Sequence, residues 1–118
     1  MLIVTNNMKV ADKYDEVLFV KGSPLDVMQK ACSLSLDDYS LVAAPLLGNL
    51  VMLRNPFRSI VMEKKKNKAP RVEDNNLLTD MYNRSERMDR WQTPDFTTED
   101  YAYMDAIFVA QVRREVGF

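Results

Sequence analysis

A chain of 118 residues with 16 basic and 17 acidic side chains has room for one domain, residues 1–118, and a net charge of -1. It has no histidine and a single cysteine, which excludes Ser-His-Asp and Cys-His catalysis, histidine-bound zinc, an internal disulfide and thiolate clusters. At 47% hydrophobic residues the composition is that of a globular protein, and one lone thiol suits a reducing cytoplasm, the expected location.

The first apolar run, Leu2-Ile3-Val4-Thr5, is β-branched, too short for a helix and stopped by Asn6-Asn7, so it predicts a buried strand ending in a turn. It has neither the basic region nor the long apolar core of a secretion leader. Residues 8–14 are weakly helical, and residues 16–20 form a second strand closed by Lys21-Gly22. Ser23-Pro24-Leu25-Asp26 then combines a capping serine, a proline suited to the first helical position and an acid in the first turn, which predicts a helix to about residue 34. Leu25, Met28 and Cys32 share its apolar face, so the thiol is expected in the core as a small hydrophobe rather than as a nucleophile. Residues 40–44 give a third strand, and residues 56–62 a fourth whose alternation suits a sheet edge. The apolar stretch between them is broken by Pro45, Gly48 and Asn49 and falls short of the roughly 20 residues of a membrane span.

Residues 63–72, rich in lysine and interrupted by Pro70, read as a mobile basic loop. Leu77, Met81, Met88 and Trp91 follow helical spacing over residues 73–92. Thr97 and Asp100 stand three apart as a capping pair, opening a last helix that reaches about residue 115 and stops before Gly117. Its stripe, Tyr101, Met104, Phe108 and Val112, is widened by neighbouring alanines, Ile107 and Val109. So wide a face calls for two neighbours: the sheet, and either the preceding helix or the same helix of a second copy, a homodimer through residues 97–116.

Continuous apolar strands alternating with helices point to an α/β fold: a small, mainly parallel four-stranded sheet, Rossmann-like and two- or three-layered, with two longer C-terminal helices. In such a sheet ligands bind where the loops leave the strands' carboxyl ends. The loop residues Asn6, Asn7, Ser23 and Asn49, with Arg54, Asn55, Arg58 and Ser59 around the next connection, are therefore the candidate ligand-binding residues, suited to a small anion. Their plainer role is in turns and helix caps. The chain has no phosphate-binding loop, dinucleotide fingerprint, nucleophile elbow or CxxC pair, and no acids at metal-ligand spacing. No catalytic residue, metal or cofactor is expected. Residues 51–71 carry seven basic side chains against one acidic, but the overall pI near 5.4 lacks the broad footprint of a nucleic-acid binder. The expected function is a non-catalytic accessory or small-ligand-binding protein. The alternatives are a histidine-independent enzyme and an interaction subunit working through its C-terminal helices.

The opening Leu2-Ile3-Val4-Thr5-Asn6-Asn7, then Ala44-Pro45-Leu46 through Gly48, then Asn55-Pro56-Phe57-Arg58-Ser59-Ile60 resemble, in order and spacing, the GrdX proteins found with glycine, sarcosine and betaine reductase genes. The resemblance covers roughly the first sixty residues. It implies an accessory role near amino-acid reduction in anaerobic bacteria, and its matching positions are Asn6, Asn7, Asn55, Arg58 and Ser59. Ala44 departs from the polar or histidine residue expected before the Pro-Leu pair, and Leu50-Val51-Met52-Leu53 from a more polar stretch.

Overall fold

The computed structural model describes residues 1–45, 55–65, 72–86 and 97–118. In chain order these form β1 (Leu2–Thr5), α1 (Met8–Ala11), β2 (Val17–Phe19), α2 (Pro24–Ser35), β3 (Tyr39–Ala43), β4 (Ser59–Lys64), α3 (Val72–Glu86) and α4 (Thr98–Val116). Three helix starts follow directly from local chemistry. The Asn7 side chain accepts from the Lys9 amide, while Ser23 with Asp26 and Thr97 with Asp100 each close a reciprocal capping box. At the far end of α4, Gly117 takes the left-handed conformation that lets its amide reach the Arg113 carbonyl.

The strands form one open sheet in the order β2-β1-β4-β3. β1 runs parallel to β2, with Ile3 opposite Val17, and antiparallel to β4, with Thr5 opposite Ser59. β4 is antiparallel to β3, with an irregularity between Leu41 and Ala43. The sheet is therefore mixed, which corrects the expected mainly parallel arrangement. β4 also lies between β1 and β3 instead of at an edge.

The reason is visible in the packing. Alternation along the central strands sends Val4, Ile60 and Met62 into one apolar cluster with Val27, Met28 and Ala31 of α2 and Leu78 and Met81 of α3. Ile3 and Val61 go to the opposite face, with Val10 of α1 and Val109 and Val112 of α4. Helices thus cover both faces of β1 and β4, so these strands are apolar on both sides whatever their direction. Continuous hydrophobicity reports two-sided burial; it does not distinguish parallel from antiparallel neighbours.

Two helix faces are rotated from expectation. In α3 the inward residues are Leu78 and Met81, with Leu77 exposed, and the Asp74 carboxylate reaches out to the Leu41 amide on the β3 edge at 2.9 Å. Met88 and Trp91 lie outside the described residues. In α4 the buried residues are Tyr101, Ala102, Asp105, Val109 and Val112, whereas Met104 and Phe108 are half-buried. Cys32 is also half-buried and packs against the α2–α3 cluster. Glu63 and Lys64 of the expected basic loop belong to β4 and Val72 opens α3, while residues 66–71 lie outside the described residues. Among the described residues no helix is long and apolar enough to cross a membrane.

Candidate functional site

β1 ends where β4 begins, and the pleat places Thr5 and Ser59, a cross-strand pair, on the same face as Ile3 and Val61. That face is the one under α4. Two polar side chains with no solvent access therefore meet the first half of the last helix, and each needs a partner.

The partners form a closed ring. Ser59 Oγ donates to Asp105 Oδ2 at 2.6 Å, so the 2.8 Å contact between Thr5 and Ser59 must have Thr5 as donor. Thr5 Oγ1 accepts from the Asn7 amide at 3.0 Å, and Asn7 Nδ2 returns to Asp105 Oδ2 at 3.1 Å. The second hydrogen of Asn7 Nδ2 goes to the Ala102 carbonyl at 2.9 Å. Asn7 thereby caps α1 with its oxygen and holds α4 with its nitrogen.

Asn6 and Asn55 tie in the flanking loops. Asn6 Nδ2 donates to the carbonyls of Gly22 and Pro56, both at 2.9 Å, and Asn6 Oδ1 accepts from the Arg58 amide at 2.8 Å. Asn55 Oδ1 accepts from the Phe57 amide while its Nδ2 donates to the Tyr101 carbonyl at 2.7 Å. Arg58 is 1% exposed, with Nη1 3.7 Å from the Met28 sulfur. Burial lowers its pKa to about 10, opposed by the charge of Asp105, so the guanidinium is charged at neutral pH.

Asp105 is the acid of this cluster. Burial pushes its pKa up, against the hydrogen bonds from Ser59 and Asn7 and the charge of Arg58. Only one of its oxygens is engaged: Oδ1 is buried and has no hydrogen-bond partner among the described residues.

Of the residues expected to form a site, Asn6, Asn7, Asn55, Arg58 and Ser59 come together at this end of the sheet. Ser23 does not join them through its side chain, which is half-buried and caps α2. Asn49 and Arg54 lie outside the described residues. Asp105 was not among the expected residues, although a signal existed: it stands four residues after Tyr101 and four before Val109, an acid inside an apolar stripe. Among the described residues no group of three or more acids and cysteines is placed to hold a metal ion. A cleft of about 250 Å3 lies at the opposite end of β1, beside Ile3, Tyr14 and Arg113, and none of the expected site residues lines it.

These elements define a small α/β protein with an open mixed sheet, covered on both faces and closed at one end by a buried polar cluster. The chain belongs to the GrdX family: the family model for GrdX-like proteins matches residues 2–113, nearly its whole length. No curated protein and no solved structure matches it.

Proposed function

We propose that this chain is a non-catalytic accessory protein that binds a small polar ligand at the β1–β4 end of the sheet. The observation that carries the reading is Asp105 Oδ1, a buried carboxylate oxygen without a hydrogen-bond partner among the described residues. A buried acceptor left unmet costs about 1–3 kcal/mol, and retained costs of this kind gather at functional sites. Membership of the GrdX family, with the association to glycine, sarcosine and betaine reductase genes that the sequence resemblance implies, favours a role near amino-acid reduction.

Native mass spectrometry of gently purified protein tests the reading. The expected result is an adduct of defined mass that disappears on mild activation. Bare protein under every gentle condition, including added extract of small molecules, ends it.

A second reading, an interaction subunit or homodimer working through residues 97–116, is favoured by α4 itself. Tyr103 and Ile107 sit one turn apart and are 62% and 39% exposed, an apolar pair on the side away from the sheet.

A further inference from the structure

We infer that the strand-end cluster receives its ligand through a hydrogen-bond donor, a protonated amine accepted by Oδ1 of Asp105. This rests on the ligand-binding reading above and names the class of ligand.

Asn6 and Asn7 each have both amide hydrogens committed to protein oxygens, and Asn55 donates to the Tyr101 carbonyl. All three carboxamide oxygens accept from backbone amides, at Arg58, Lys9 and Phe57. The hydroxyl of Ser59 is directed to Asp105, and that of Thr5 to Ser59. The asparagines that first suggest an anion site are therefore already occupied in holding loops and α4 together. Besides these stand the Arg58 guanidinium, whose charge already faces Asp105, and the second hydrogen of Asn55 Nδ2; the buried acceptor still open in the cluster, among the described residues, is Asp105 Oδ1.

An anion brought to that oxygen would add acceptors beside an acceptor and a like charge beside a carboxylate. A donor completes the group. A charged donor completes it best, because an N+–H···O− hydrogen bond is roughly twice as strong as a neutral one. Asp105 has no exposed surface, so the arriving group must be compact, and a primary ammonium is compact and supplies up to three donors.

Methylammonium chloride is the probe, with potassium chloride at equal concentration as the ionic-strength control and sodium acetate as the anion. Thermal unfolding and backbone amide shifts are recorded for the full chain and for Asp105→Asn, whose amide oxygen can keep the hydrogen bonds from Ser59 and Asn7. The expected result is a saturable rise in Tm with methylammonium over potassium chloride, and shifts confined to the amides around Asn7, Ser59 and Asp105. Affinity falls about tenfold or more in Asp105→Asn, the loss of one charge-assisted contact. If that variant does not fold, the location of the shifts in the parent chain decides alone, and shifts elsewhere overturn the proposal.

Acetate stabilising the protein where methylammonium does not overturns the amine class and leaves ligand binding standing. The same holds if native mass spectra carry an adduct while methylammonium has no effect, or acts equally on the variant. No adduct and no response to either salt overturns both readings and leaves Oδ1 to an internal water.

Discussion

Burial disfavours the charged form of an aspartate, and Asp105 has a hydrogen-bond partner on only one oxygen among the described residues. Its folded pKa lies above the roughly 3.9 of an unfolded aspartate. Its contribution to stability is therefore full below that value and is lost as pH rises through the folded pKa. Asp105→Asn cannot ionise, so its stability relative to the parent should improve from pH 4 toward neutrality, by about 1.4 kcal/mol for each pKa unit of difference. Denaturant titrations of both proteins across this range check it, and a gap independent of pH would show that burial of Asp105 leaves its titration unaltered. At the same scale, burial raises the pKa of the Cys32 thiol against a weaker opposing hydrogen bond with Thr79. This agrees with a packing role, because the thiolate is the reactive form.

Among the elements, α2 shows how one backbone position supports several contacts. The Asp26 carboxylate accepts from the Ser23 amide at 2.8 Å and from the Ser23 hydroxyl at 3.1 Å, completing the helix cap. A Cβ on Gly22 would overlap that carboxylate, so the tight approach requires glycine. The Gly22 carbonyl is also one of the two that hold Asn6. Gly22→Ala should displace Asp26, open the capping box and cost about 1 kcal/mol, measured by chemical unfolding; stability equal to the parent would mean that the cap contributes nothing. The cap was legible in the sequence because it is local, with Ser, Pro and Asp in consecutive contact range. The inward faces of α3 and α4 were not. Helical spacing offers overlapping apolar stripes, and in α4 the buried one passes through Asp105, which looks polar until Ser59 and Asn7 are brought beneath it.

In the whole molecule, α1 and α4 lie on one face of the sheet and α2 and α3 on the other. α4 thus has the sheet on one side and leaves Tyr103 and Ile107 exposed on another. If a second copy covers this pair, sedimentation at high micromolar concentration should show a dimer that Ile107→Glu dissociates, since a charge in an apolar contact is costly. Monomer throughout ends the dimer reading and leaves the strand-end site unaffected.

The sequence by itself determined what short-range chemistry controls: the approximate positions of the strands and helices, the capped starts at Ser23 and Thr97, the glycine stop after α4, and the polar character of the loops around Asn6 and Arg58. It also determined that neither histidine nor paired cysteines take part, because the chain contains none. Tertiary structure decided the direction of β4 and its central place, since the same apolar run serves a parallel or an antiparallel strand once both faces are covered. It also decided the site. Asn7, Ser59 and Asp105 are separated by 46 to 98 positions, and only the pairing of Thr5 with Ser59 and the docking of α4 bring their side chains together. Hydrogen bonds between residues so distant follow from the fold and carry no local sequence signal.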